Sequence, residues 1–116
     1  MELETIKPYI LPALIAGYLV FRQVRFMAVK RKLPGLAARG AVFVDVRTPG
    51  EFEAGNRPGS LNIPLDSIAE GAKKLDKEKP VILSCASGAR SGVAAGILRA
   101  MGFRDVTNAG SWRNTL

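Results

Sequence analysis

The sequence predicts an α/β protein in which short buried strands alternate with helices around a parallel sheet. Three observations carry this prediction. Short runs of strand character recur at residues 41–46, 61–63 and 81–85, the first rich in β-branched residues, and 103–108 offers a last strand around Val106-Thr107. Stretches with helical spacing, 66–75 and 92–101, separate the later runs. The connections are tight and carry Pro or Gly. That alternation implies parallel strands covered by helices on both faces.

Each element has a local reason. The first strand, 41–46, reads Ala-Val-Phe-Val-Asp-Val. Thr48-Pro49-Gly50-Glu51 then starts a helix: Thr48 caps, Pro49 suits the first helical position and Glu51 completes a capping box. Pro64 stops the second strand at 61–63. Residues 66–75 place Ile68, Ala69, Ala72 and Leu75 on one helical face, with Lys73 and Lys74 outward. The charged turn 77–80 leads into the strand that starts at Val81. The helix over 92–101 carries Val93, Ala94, Ile97, Leu98 and Met101, and Gly102 is a natural C-cap.

Ahead of these elements lies a different kind of segment. Residues 8–21 form fourteen positions without charge between Lys7 and Arg22, apolar on all sides. A membrane span takes about 20 apolar residues. Here Tyr9 and Tyr18 suit membrane interfaces, Lys7 and Arg22 are able to snorkel, and Phe26-Met27-Ala28-Val29 extends the apolar character. A helix over residues 8–28 is about 31 Å long at 1.5 Å per residue. We read residues 8–28 as a membrane anchor. A helix buried against protein and a cleaved signal peptide are the alternatives, the latter disfavoured by Glu2 and Glu4 at the start. Arg22, Arg25, Lys30, Arg31 and Lys32 follow the apolar run while only Lys7 precedes it, which places the C-terminal part in the cytoplasm. Leu33-Pro34-Gly35 is expected to end the helix, and 36–40 to be a short turn closed by Gly40. The organisation is thus an N-terminal hydrophobic helix with a basic flank, residues 1–32, and a single domain, 33–116.

Composition narrows the chemistry. The net charge of +7 is concentrated in residues 1–40, where seven Lys/Arg oppose two Glu. Without a folded basic reading motif, nucleic acid is not an expected partner. The chain has one cysteine and no histidine. One cysteine rules out an internal disulfide. Absence of histidine excludes Cys-His proteases, Ser-His-Asp hydrolases and His-ligated zinc. No metal and no cofactor are expected.

The candidate site lies in the stretch 81–92. A buried strand delivers Cys85 to its C-terminal end, where ligands bind in open parallel sheets. Ala86, Ser87, Gly88 and Ala89 are small, so their backbone N–H groups are free to converge, and a helix starts directly after them. Such a cradle lowers a thiol pKa, and the thiolate is the reactive form. Arg90 adds a cation with two-pronged hydrogen bonding for an oxyanion; Ser87 and Ser91 add hydroxyls. An isolated cysteine at a strand end is more often a small buried hydrophobe. The combination of small-residue loop, glycine, arginine and helix start favours a nucleophile.

These residues resemble a known family. Val44-Asp45-Val46-Arg47-Thr48-Pro49-Gly50-Glu51-Phe52, then Gly55-Asn56-Arg57-Pro58-Gly59-Ser60-Leu61-Asn62-Ile63-Pro64, then Cys85-Ala86-Ser87-Gly88-Ala89-Arg90-Ser91, and finally Gly102-Phe103 with Gly110 and Trp112, resemble in order the signatures of rhodanese (sulfurtransferase) domains. The resemblance implies a rhodanese-like three-layer fold with a central parallel five-stranded sheet. It implies that Cys85 accepts sulfane sulfur from a small donor such as thiosulfate, forms a persulfide, and passes the sulfur to cyanide, a thiol or an acceptor protein. Ala86, Ser87, Gly88, Ala89, Arg90 and Ser91 would then bind substrate, with Arg90 on the donor's oxyanion end. Four residues separate Cys85 from Arg90, one fewer than in related phosphatases and arsenate reductases, which favours sulfur over phosphate. Asn56-Arg57 stands where the family usually has His-Ile. Asp45, Arg47 and Glu51 read as structural ion-pair and capping residues. A non-catalytic rhodanese-like binding module at a membrane is the alternative of a different class, and a phosphatase of the same fold is a third.

Overall fold

The structure, a computed structural model, describes residues 2–116. Helix α1 (Leu3–Ala38) is followed by β1 (Val42–Asp45), α2 (Pro49–Ala54), β2 (Leu61–Asn62), α3 (Ile68–Gly71), β3 (Val81–Cys85), α4 (Ala89–Ala100) and β4 (Val106–Ser111). Single 3-10 turns flank α3 at Leu65–Ser67 and Ala72–Lys74, and another, Trp112–Thr115, follows β4.

The strands form one parallel sheet in the order β2-β1-β3-β4. Side chains alternate across it. On one face, Val44, Val46, Val81, Leu83 and Cys85 pack with Ile68 and Ala72 and with Ala94, Ala95 and Leu98 of α4. On the other, Phe43, Ile82 and Ala109 pack against Leu33 and Leu36 near the end of α1. Both faces are therefore covered, as the apolar strand composition requires.

Several expectations change. The sheet has four strands among the described residues, not five. Residues 3–38 lie in α1 and residues 65–74 in short helical turns, and among the described residues no further segment pairs with the four strands. Helix α1 does not end at Leu33-Pro34-Gly35. It runs 36 residues with Pro34 inside it. Leu33 and Leu36, on either side of that proline, are both buried in the second core cluster, which holds the two turns in one helix. The helix expected over 66–75 is broken into 3-10, α and 3-10 turns, and Ala69 is exposed. Helix α4 starts at Ala89 rather than at Gly92, because Gly88 at φ +107° turns the chain directly into it.

The two halves of α1 differ in environment. Every residue from 2 to 21 is exposed, and the helix contains an 18-residue window of mean hydropathy 1.3, long and apolar enough to cross a membrane by length and composition. From Arg22 onward, Arg22, Phe26, Val29, Leu33 and Leu36 lose exposure at helical spacing as the helix settles onto the domain.

Candidate active site

Strand β3 is buried along its whole length and ends on Cys85, which is 1% exposed. Glycine at position 88 supplies the positive φ that reverses the chain, so that its own N–H points back and donates to Cys85 Sγ at 3.0 Å. The buried Ser91 hydroxyl lies 3.3 Å from the same sulfur. Burial pushes the Cys85 thiol up. Hydrogen bonds from the Ser91 hydroxyl and from the backbone N–H groups of Ser91, Gly88 and Ser87 outweigh it, and the pKa falls below the ordinary thiol value. The chain has no histidine, and the donors that lower the thiol pKa are this backbone and hydroxyl cradle.

Asn108, which the sequence reading placed only at the end of a strand, locks the loop. Its Nδ2 donates to Gly88 O at 3.0 Å, and its Oδ1 accepts from Gly110 N at 3.0 Å and from Ser91 Oγ at 2.7 Å. Ser91 has one hydroxyl proton to share between Asn108 Oδ1 and the sulfur. A thiolate on Cys85 would compete with Asn108 Oδ1 for that proton, and Asn108 Oδ1 would still have its bond from Gly110.

Arg90 sits in the first turn of α4 and is held by Glu51 rather than free. Its two terminal nitrogens reach Glu51 Oε1 and Oε2 at 2.7 and 3.0 Å. The Arg90 hydrogen bond, followed by that of the Thr48 backbone, lowers the Glu51 pKa to about 2. Glu51 also closes the expected capping box with Thr48. Its carboxylate therefore serves two partners, one of them in the site. Arg90 also borders a hollow formed with Val46, Thr48, Pro64, Leu65 and Asp66.

The first signature motif builds the support beneath Glu51. Asp45 and Arg47 are buried and paired at 2.7 Å. Arg47 further donates to Glu51 O at 3.2 Å and Gly55 O at 2.6 Å, and its guanidinium lies 4.8 Å from the Trp112 ring centre. The replacements at 56 and 57 are absorbed locally: Asn56 donates to Phe52 O at 2.9 Å, while Arg57 donates to Thr115 O at 2.8 Å and stacks on Phe43.

The structure also brings in α1. Arg22 Nη2 donates to Ser87 O at 2.8 Å, and Phe26 packs on Gly88 and Gly110. Neither residue is a candidate from sequence alone, where Arg22 has the place of a snorkelling residue at a membrane surface. Of the residues expected in the site, Cys85, Gly88, Ser91 and the Ser87 backbone meet around the sulfur. Ala86 and Ala89 are exposed at the loop surface, and Arg90 is turned to Glu51.

Comparison with known proteins agrees with this architecture. The rhodanese-like domain family matches residues 30–114. The chain is 38% identical over 84 residues to the thiosulfate sulfurtransferase GlpE of Pseudomonas syringae, covering 69% of this chain and 79% of that protein. It is 41% identical over 70 residues to the Bacillus subtilis protein YqhL, covering 60% of this chain but only 56% of that one. Among solved structures, the human single-domain sulfurtransferase TSTD1 superposes with a TM-score of 0.65 at 29% identity, over 72% of this chain and 88% of its own. The chain belongs to the rhodanese family of sulfurtransferases.

Proposed function

We propose that this protein moves sulfane sulfur from thiosulfate or a similar small donor to a thiophilic acceptor through a persulfide on Cys85. The observation that carries this reading is the Cys85 sulfur itself: buried at a strand end, it accepts the Gly88 N–H at 3.0 Å and has its pKa lowered by the surrounding donors. Family membership supports the same chemistry.

The steps balance without a cofactor. The Cys85 thiolate attacks the outer sulfur of thiosulfate; a new S–S bond forms on Sγ, the donor's S–S bond breaks, and its electron pair leaves with sulfite. The persulfide anion remains in the loop, where the N–H groups that lower the thiol pKa also stabilise the new negative charge. A thiolate or cyanide then attacks the outer sulfur, and the bonding pair returns to Cys85. The chain has no second cysteine, so the acceptor is another molecule.

The apolar first half of α1 is read as a membrane anchor, with the domain on the cytoplasmic side where the following arginines and lysines lie. Because Arg22 and Phe26 pack on the active loop and Tyr18 and Phe21 line the cavity beside it, the inserted part is shorter than residues 8–28 and ends before Tyr18. That part is long enough to embed in one face of a bilayer but not to span it. A full-length chain found wholly in the soluble fraction of cells would sink the anchor.

The direct test is a thiosulfate:cyanide assay on the full chain with Cys85→Ser in parallel. The wild type should release thiocyanate and, without acceptor, gain the mass of one sulfur atom, while Cys85→Ser does neither. A wild type that shows neither product removes the sulfurtransferase reading.

A further inference from the structure

The part of α1 that touches the active loop, residues 18–26, lies outside the 30–114 match to the rhodanese-like family. Its packing is nevertheless built into the domain. A Cβ on Gly110 would come within 2.7 Å of the Phe26 ring, and one on Gly88 within 3.2 Å. Both glycines adopt positive φ. The loop and β4 thus leave a recess that Phe26 fills.

Between this stretch of helix and the loop is a cavity of about 290 Å³. Tyr18, Phe21 and Phe26 give it aromatic walls, and Arg22 and Arg25 give it charge. Gly88, whose N–H donates to the Cys85 sulfur, lies on the opposite wall. Among the described residues neither Arg22 nor Arg25 has a carboxylate partner, and the cavity lining holds no acid. Arg90 differs: its guanidinium is paired at both terminal nitrogens with a carboxylate that stays ionised down to about pH 2. The positive charge beside the loop that is not already neutralised therefore comes from α1. The N-terminal end of α4 adds to that field.

We propose that α1 forms one wall of the sulfur-transfer site and that the cavity between Arg22, Arg25 and the loop is a subsite for the anionic, sulfonate-bearing end of the donor. Arg25 is the recognising cation. Arg22 adds charge and positions the loop through the Ser87 carbonyl. This assignment rests on the sulfurtransferase reading, and it extends the site beyond the family domain.

The test uses the full chain in neutral detergent, with two readouts on wild type, Arg25→Gln and Arg22→Gln. The first is kcat and KM for thiosulfate. The second is the rate at which Cys85 is alkylated by iodoacetate, an anion, divided by the rate with neutral iodoacetamide; it requires no sulfur transfer. Arg25→Gln should raise KM about tenfold, the scale of one lost bond to a charged group, with kcat within about twofold. It should lower the alkylation ratio several-fold while the iodoacetamide rate holds. Arg22→Gln should do both and also move the pH midpoint of iodoacetamide alkylation, as expected of a residue that positions the loop. Unchanged KM and an unchanged ratio in Arg25→Gln overturn the subsite. If the wild type does not turn over thiosulfate but Arg25→Gln still lowers the ratio, the anion subsite stands and the sulfur-transfer reading falls. In vesicles containing anionic lipid, a wild-type ratio already reduced to the variant's level assigns Arg25 to lipid headgroups and overturns the proposal.

Discussion

The Cys85 loop has a hollow on either side, and the two sides use arginine differently. On the Arg90 side the cation is clamped by Glu51, which is itself fixed by the Thr48 cap and by the buried Asp45–Arg47 pair below. On the α1 side, Arg22 donates to a loop carbonyl and Arg25 faces a cavity with no acid in its lining. One side is a rigid, charge-balanced brace within the family domain. The other is a positively charged wall supplied by a segment outside it. The contrast shows that an arginine at a motif position need not be the cation that is free to bind.

Three substitutions separate the two sides. Arg47→Ala should have the largest effect. It leaves Asp45 buried and unpaired and withdraws the bonds to Glu51 O and Gly55 O, so unfolding monitored by circular dichroism should show a loss of about 3–5 kcal/mol. If the Arg22 and Arg25 side depends on this brace, the alkylation ratio will fall with it; we expect the ratio to hold in whatever protein remains folded.

Ser91→Ala acts at the point both sides share. It removes the leading donor that lowers the Cys85 pKa, so the pH profile of iodoacetamide alkylation should move up. At neutral pH the thiolate fraction should fall by about tenfold, again the scale of one bond to a charged group. Since thiolate forms above its pKa, activity in both proteins rises with pH through that point, and the variant lags. Coincident profiles would remove Ser91 from the activation of the sulfur.

Glu51→Gln should have the smallest effect and the most diagnostic sign. Releasing Arg90 adds a free cation to the brace side, so KM for thiosulfate should drop by about two- to fivefold, in keeping with the modest strength of exposed ion pairs. A rise in KM would mean that the brace, not the free charge, is what the donor needs. The wild-type pair is insensitive to pH in the working range. With the Glu51 pKa lowered from 4.5 to about 2, its contribution is complete above 4.5 and is lost only as pH falls through about 2. Acid titration of the wild type followed by tryptophan fluorescence checks this.

Much of this architecture was legible in the sequence. The first and third strands announce themselves by apolar runs, and Thr48-Pro49-Gly50-Glu51 forms the capping box its spacing predicts. The loop around Cys85 was readable because small residues between a strand and a helix leave few other geometries. Two kinds of feature were hidden. The role of Asn108 depends on β4 lying beside β3, a pairing between residues distant in sequence that no local pattern encodes. The continuation of α1 through Pro34 depends on tertiary burial of Leu33 and Leu36, which overrides the helix-ending preference of Pro and Gly. Arg22 and Phe26 were hidden for the same reason: hydropathy described the segment as one apolar helix, while its partner surface, the pair Gly88 and Gly110, lies more than sixty residues away.

The recess that Phe26 fills has a practical consequence for anyone who trims the chain to improve its behaviour in solution. Cutting before Leu33 takes the plug away and leaves an open socket, floored by glycine backbone and adjoining the Cys85 sulfur. Such a fragment would offer small aromatic compounds a hold beside Cys85 that the whole protein keeps occupied. Inhibitors selected on the fragment would compete with the protein's own phenylalanine for that seat, so potency against the trimmed and complete chains should diverge.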